Sequence, residues 1–340
     1  MKAAVMTAIG KTELEIRDVP MPSVPEGWAL VKTKAAGVCG TELHFLEGLL
    51  KSGKDDFILG HEIAGVIESV PDGHGFKAGD RVSIYNKMNC GCCVYCKEGH
   101  DSLCPNTMGA IGFSSNGGFA EYVTVPIGSL VALPDTVPFT HGAILACSGL
   151  TAVHTVRKAN IKLLENVVIN GVGGVGLIVG QVVKLSGARV IAIADTAEKG
   201  ELAKKAFADE VIVTTDYSTV PDKLKALTDG RGVDVFIELV GTSATYTAGL
   251  KSLAKLGRFL IVGYTHDRVD VDPLAMVVGE NVLHAVVAGS KKDLIDVLQL
   301  AATGKIEVMI QEELSLDNVN VAIDRLLKRT SLGRNVLVFK

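Results

Sequence analysis

The run Val167-Val168-Ile169-Asn170-Gly171-Val172-Gly173-Gly174-Val175-Gly176 decides how the second half of the chain is read. Three apolar residues form a buried strand. A G-x-G-x-x-G turn follows, and an apolar stretch to Leu185 continues as a helix. A bare glycine motif says little, but between a strand and a helix it has the context of a dinucleotide-binding turn. There Gly171, Gly173, Gly174, Val175 and Gly176 bring the backbone up to a pyrophosphate at the helix N-terminus.

Strands and helices alternate outward from this turn. Arg189 to Ala194 is the next strand, followed by a helix from Glu198 to Phe207. The segments Glu210 to Val213, Asp234 to Val240, Arg258 to Val262 and Val282 to Val287 continue the strands. Helices are expected at Asp222 to Thr228 and Tyr246 to Leu256. Alternation at this spacing predicts a doubly wound parallel sheet of the α/β class. Asp195 ends the second strand, 19 residues after Gly176. A carboxylate there can accept the two ribose hydroxyls of NAD and repels a 2′-phosphate. It can equally serve as the N-cap of the following helix.

The first 146 residues have a different texture. Short runs at Leu30-Val31, Ile63 to Val70, Arg81 to Tyr85 and Tyr122 to Val125 are separated by Gly, Pro and Asp turns, which predicts a compact β-rich unit. Past residue 290 come two helical segments, Lys291 to Thr303 and Leu316 to Lys328, and a last strand, Asn335 to Phe339. A length of 340 residues suits two domains.

Hydrophobic residues make up 48% and charged residues 21%, with a formal net charge of -4. No basic stripe attracts nucleic acid or an anionic membrane. No apolar run is long enough to span a bilayer, and the N-terminus lacks a signal-peptide pattern. The expected location is the cytoplasm.

Five of the seven cysteines lie within 15 residues. Cys90, Cys93, Cys96 and Cys104 form C-x2-C-x2-C-x7-C, and four thiolates can close a tetrahedral zinc site. An iron–sulfur cluster or redox cysteines are the chemical alternatives. Cys92 falls outside the pattern. A second set is scattered: Cys39, His61 and Cys147. Each alone is weak, since a lone Cys is commonly a core residue. Together they offer two thiolates and one imidazole, which suits a catalytic zinc with its fourth position open.

With these pieces in family order along nearly the whole chain, the sequence resembles the zinc-containing alcohol dehydrogenases of the medium-chain family. The matching segments are G-V-C-G-T-E-L-H at 37 to 44, G-H-E at 60 to 62, the four-cysteine lobe, C-S-G-L-T at 147 to 151, the glycine loop, and G-R-N-V-L at 333 to 337. The resemblance implies a GroES-like β-rich catalytic domain (1–148 and 286–340) and a Rossmann cofactor domain (149–285). It implies two zinc ions per chain, one structural in the lobe and one catalytic on Cys39, His61 and Cys147, with NAD as cofactor. Glu62 would sit behind the metal as an alternative ligand. Thr41 would touch the substrate oxygen, and His44 would stand near the cofactor ribose and complete a proton path to solvent. Lys199 would reach the ribose, Arg334 the pyrophosphate, and Val262 would join the cofactor contacts. Glu42 stands where many relatives carry Asp, and it is either the orienting partner of His61 or a surface carboxylate. Gly40 departs from relatives with a basic residue there, leaving phosphate binding to Arg334 and the loop amides.

The implied reaction is reversible hydride transfer between an alcohol and NAD. Three rivals stand beside it. A polyol or amino-alcohol dehydrogenase of the same family often has a carboxylate in place of the third cysteine. A zinc-free reductase lacks the ligand set. A non-catalytic NAD sensor has no use for Thr41 and His44. The substrate is open among small alcohols, aldehydes and ketones, although Asn86 near the expected pocket suggests some polarity. The strand Val282 to Val287 is expected at a dimer axis, within a homodimer or homotetramer.

Overall fold

In the computed structural model, which describes residues 1–54 and 56–340, the chain divides into two compact units. One is Met1–Leu150 with Gly289–Lys340, and the other is Thr151–Ala288.

The Thr151–Ala288 unit grows from the glycine turn. The strand Asn166–Asn170 carries the buried run Val167, Val168 and Ile169. It lies inside a six-stranded sheet in the order Glu210–Val213, Arg189–Ala194, Asn166–Asn170, Val233–Glu238, Leu253–Ile261, Val282–Ala285. All neighbours pair in parallel. The order reverses between Asn166–Asn170 and Val233–Glu238. In such sheets that reversal, at the carboxyl ends of the strands, is where ligands bind. Val168, Ile191, Ile193, Phe236, Tyr246 and Phe259 pack one core of this unit, with Phe236 and Phe259 stacked at 5.4 Å.

Two elements end earlier than their sequence suggests. The strand expected to reach Val240 stops at Glu238. The buried Glu238 carboxylate takes the Val240 and Gly241 amides, at 2.6 and 2.8 Å, and turns the chain out of the sheet. Its other oxygen accepts from Asn170 Nδ2, so one carboxylate joins the strand ends on both sides of the reversal. The helix expected over Tyr246 to Leu256 spans Ser243–Ser252. Leu253 is already extended and Leu256 has φ of 62°. Residues 253–256 therefore belong to the strand Leu253–Ile261, whose register with Val233–Glu238 shifts between Val233 and Val235.

The other unit is organised by the 11-residue strand Trp28–Val38. It pairs antiparallel with Tyr122–Pro126, Glu62–Ser69 and Arg334–Val338. It therefore holds the end of the chain beside segments more than 200 residues earlier. A seven-stranded sheet results, alongside a three-stranded one built on Lys2–Met6. Leu314, Leu316, Val319 and Ile323 from the late segment pack with Val5, Phe45 and Phe57 from the early one. Unlike the purely β-rich expectation, Phe139–Ala159 is helical. It runs as an α-helix to Ile144, a π-helical stretch over Leu145–Gly149, and an α-helix from Leu150.

The glycine turn is sterically tight on one side only. Gly171 has φ of 107°, a conformation that favours glycine. A Cβ on Gly176 would lie 2.0 Å from the Gly171 carbonyl oxygen. Gly176→Ala must therefore push the helix Gly174–Lys184 off the turn. The expected cost is about 1–3 kcal/mol, the usual penalty for overpacking, read as a lower urea midpoint with an unchanged slope.

Candidate functional site

The four lobe cysteines are brought together by tight turns. Gly91 and Gly99 have φ of 70° and 78°, and the short helix Val94–Lys97 starts from Cys93. The sulfurs of Cys90 and Cys104 are 3.5 Å apart, as are those of Cys93 and Cys96. The Cys90–Cys96 and Cys93–Cys104 separations are 4.0 and 3.9 Å. Four sulfurs around one zinc at about 2.3 Å stand about 3.8 Å from each other in a tetrahedron. The donor set fits a structural zinc with all four positions filled. Cys92 is exposed and is not one of the four clustered donors, although it lies beside Cys90.

The second set is assembled from three places in the sequence. Cys39 ends the Trp28–Val38 strand and caps the helix Gly40–Leu46. His61 directly precedes Glu62, the first residue of the strand Glu62–Ser69, and Cys147 lies on the π-helical stretch. One donor atom from each of Cys39, His61, Glu62 and Cys147 lies within 4.8 Å of all the others, with His61 Nε2 3.2 Å from Cys147 Sγ. The Thr41 hydroxyl is 3.7 Å from Cys39 Sγ. His44 lies one turn beyond it on the same helix.

Glu42 is not a surface carboxylate: it is 1% exposed. Its Oε1 accepts from His61 Nδ1 at 2.8 Å, and its Oε2 accepts from the Cys39 backbone N–H at 2.8 Å. A carboxylate on Nδ1 fixes the imidazole with Nε2 free to ligate. Burial works against charge on His61, but Glu42 and Cys39 hold its pKa well above the ordinary value.

The Glu62 carboxylate lies where any side chain on Gly37 would be, since a Cβ there would come within 1.9 Å of Glu62 Oε2. That oxygen accepts a hydrogen bond from the buried Arg334 guanidinium. Among the described residues, Oε1 is buried without a partner. Burial pushes Glu62 up to about 8, against the pull of Arg334. Hydrogen bonding with Cys147 holds the Cys39 thiol well below its usual pKa, and the same contact together with burial pushes Cys147 well above. Two thiols and a carboxylate with an unsatisfied oxygen are thus crowded together. This donor set fits a divalent, thiophilic cation such as zinc.

In the Thr151–Ala288 unit, nothing lies within 4 Å of a Cβ built on Gly173. Its neighbours Gly171 and Gly176 are closed off by backbone and side chains, so the open side of the turn is where a pyrophosphate can approach the amides. Gly174 and Val175 begin the helix. The N-cap of Ala197–Ala206 is Thr196, which accepts from the Lys199 amide. Asp195 is therefore spared that role, and its half-exposed carboxylate is 2.9 Å from Lys199 Nζ. Val262 donates its amide to the Glu238 carbonyl at 3.0 Å. The turn and Asp195 fit a dinucleotide. Arg334 lies in the other unit, against Glu62.

Sequence reading missed the Glu62–Arg334 pair and the Glu238–Asn170 link. A glutamate directly after a ligand histidine was a signal for the first; a lone glutamate at a strand end offered none for the second. Asn86 is buried, with its carbonyl accepting from the Ile111 amide.

Elemental analysis is expected to find two zinc ions per chain in metal-loaded protein. Cys147→Ser leaves one ion, held by the lobe. Cys96→Ser removes the lobe ion and lowers stability, because a structural zinc contributes folding free energy. Glu42→Ala weakens the second ion by about 10–100-fold, the usual effect of losing such an orienting partner, measured as zinc release to a chelator. Release unchanged from the wild type would mean that Glu42 serves the helix cap alone.

Two family models match the chain. One, described as "Alcohol dehydrogenase GroES-like domain", covers residues 25–135, and the other, "Zinc-binding dehydrogenase", covers residues 174–303. The chain is 36% identical to a protein of Sulfolobus acidocaldarius named NAD-dependent alcohol dehydrogenase, over 99% of both chains. It is 34% identical to an alcohol dehydrogenase of Geobacillus stearothermophilus, again over 99% of both. The crystal structure of the alcohol dehydrogenase from Aeropyrum pernix superposes with a TM-score of 0.93 at 33% identity, with each chain fully covered. The chain belongs to the zinc-containing alcohol dehydrogenases of the medium-chain dehydrogenase/reductase family.

Proposed function

We propose that the protein catalyses reversible oxidation of an alcohol to an aldehyde or ketone with NAD. The observation that carries this reading is the convergence of Cys39, His61 and Cys147, with the Thr41 hydroxyl 3.7 Å from the Cys39 sulfur. The unit Met1–Leu150 with Gly289–Lys340 is the catalytic domain in this reading, and Thr151–Ala288 binds the cofactor.

Bound at these sites, zinc supplies Lewis acidity toward the alcohol oxygen and NAD supplies the hydride acceptor. Cys39, His61 and Cys147 hold the metal, and Glu42 keeps the His61 ring in its ligating tautomer. Glu62, tied back by Arg334, keeps one oxygen in reserve as an alternative ligand. Thr41 accepts the substrate hydroxyl proton at its Oγ1 as it gives up its own, and His44 delivers a proton to solvent at the far end of the path. Gly171, Gly173, Gly174, Val175 and Gly176 present their turn to the pyrophosphate, with Val262 nearby at the end of its strand. Asp195 takes the adenosine ribose hydroxyls, with Lys199 beside it. Arg334 is a further candidate for the pyrophosphate, although its present partner is Glu62.

We further propose a homodimer or homotetramer. Val282–Ala285 is the edge strand of its sheet. Leu274, Val277, Val278, Val282 and Val287 expose apolar side chains on and around it. A free edge with apolar neighbours suits pairing with a second copy. A cytoplasmic location belongs to the same reading, and it is supported by the thiols, which a reducing compartment keeps free to hold metal. Among the described residues no helix is long and apolar enough to cross a membrane.

The decisive assay is alcohol-dependent NADH formation by zinc-loaded protein. No turnover with any primary, secondary, cyclic or polyhydroxy alcohol would favour a non-catalytic NAD sensor. His44→Ala is expected to slow oxidation mainly near neutral pH. The loss should be smaller than the ~10²–10⁴-fold of a full acid–base group, with partial rescue by buffer bases. NAD is expected to be strongly preferred over NADP. Asp195→Gly should raise KM for NAD and narrow the gap between the two cofactors, and a wild type equally efficient with NADP would show that Asp195 does not face the ribose.

A further inference from the structure

Lys87 has its backbone fixed on both sides. It forms an isolated antiparallel bridge with Ala110, and its carbonyl accepts from Ser129 Oγ. Its neighbours serve the fold. Met88 is core, and Tyr85 donates its hydroxyl to the Gly289 carbonyl at 3.0 Å. The Lys87 side chain instead reaches over Phe113, with Nζ 5.4 Å from the ring centroid. The same ring stands edge-on to His61, with centroids 5.1 Å apart. A single aromatic ring thus joins an ammonium group to a ligand of the second metal set.

This ammonium is partly desolvated, and burial lowers its pKa from the usual lysine range. Among the described residues, the acidic group acting in the other direction is the Cys147 thiol. The two carboxylates of the site are committed elsewhere, Glu42 to His61 and Glu62 to Arg334. The cation–π contact offsets part of the desolvation. A methionine or leucine could cover Phe113 without that cost. Lys87 and Phe113 are both half-buried, so neither side chain is sealed into the core.

We propose that Lys87 is a specificity-determining residue that receives a carboxylate on the substrate. The proposal rests on the alcohol dehydrogenase reading above and narrows its substrate class to hydroxy acids and the matching oxo acids. The hydroxyl end addresses the Cys39, His61 and Cys147 set, while the carboxylate completes the ion pair that the described residues leave unmade. An anion of this kind gains from Lys87 what a plain alcohol of equal length does not.

The test uses zinc-loaded full-length protein and matched pairs: 4-hydroxybutanoate with 1-butanol, 5-hydroxypentanoate with 1-pentanol, and 6-hydroxyhexanoate with 1-hexanol. In the wild type at least one hydroxy acid should exceed its neutral partner in kcat/KM by about tenfold, a modest value for a site built around a polar group. Lys87→Met should abolish that advantage, leave the neutral alcohol little changed, and leave KM for NAD unaltered. Lys87→Arg should keep the preference. Equal losses for acid and neutral alcohol in Lys87→Met, or a raised KM for NAD, would overturn the proposal in favour of a structural or cofactor-binding lysine. So would a wild type that prefers the neutral partner in every pair.

Calorimetric binding without NAD, comparing each hydroxy acid with the diol of the same length, separates this proposal from the reaction it rests on. If no alcohol is oxidised but the hydroxy acid binds more tightly than the diol to the wild type and not to Lys87→Met, the reaction is wrong and the carboxylate site stands. If that binding difference is absent, the carboxylate site falls, whatever the activity.

Discussion

One buried carboxylate holds the metal set in register. Glu42 accepts from the ring of His61 with one oxygen and from the backbone of Cys39 with the other. The first bond selects the imidazole tautomer that leaves Nε2 free. The second closes the N-terminus of the helix that carries Thr41 and His44. Two ligands and the two proposed proton-handling residues therefore share one anchor. A buried charge is costly unless it is fully bonded, and Glu42 meets that condition with one donor on each oxygen. The desolvated carboxylate is stable because the ligand geometry supplies those donors, and the geometry persists because the carboxylate needs them.

The same economy of partners explains the strand beside it. Gly37 lacks a side chain, so the Glu62 carboxylate can lie across the strand and meet Arg334 from the last strand of the sheet. The guanidinium neutralises one oxygen and leaves the other buried without a partner among the described residues. The electrostatics of the site is set by pairs: Glu42 with His61, Glu62 with Arg334, and Cys39 with Cys147. Lys87 stands outside this pairing, and that isolation sets it apart from the other charged groups around the metal set.

Much of this arrangement was legible in the residues. The glycine loop between an apolar strand and an apolar helix defined the parallel sheet, because backbone sterics admit few alternatives there. The cysteine spacing of the lobe implied its metal for a similar local reason. What escaped was non-local or aperiodic. The helix over Phe139–Ala159 was hidden because residues 142–153 are nearly all small or apolar, broken by Ser148 and Thr151 alone, and offer no clear polar face. The early end of the Ser243–Ser252 helix depends on a left-handed turn at Leu256 and on pairing with Val233–Glu238, which a local pattern does not contain. Arg334 matched a family position in sequence, but only the sheet register brings it to Glu62.

The topology also orders events during synthesis. The Thr151–Ala288 unit is a continuous segment, whereas the other unit is interrupted by it. The strand Arg334–Val338, which lies against Trp28–Val38, emerges from the ribosome after every other described strand. At about 5–20 residues per second, roughly ten seconds or more separate the emergence of Cys147 from that of Arg334. During that interval the inserted unit can complete its own sheet. The earlier segment, by contrast, exposes an unpaired strand edge and a Glu62 carboxylate without its guanidinium. The two metal sets therefore mature on different clocks: the lobe sulfurs are local and can close at once, while the second set reaches its final charge balance only when the C-terminal strand docks.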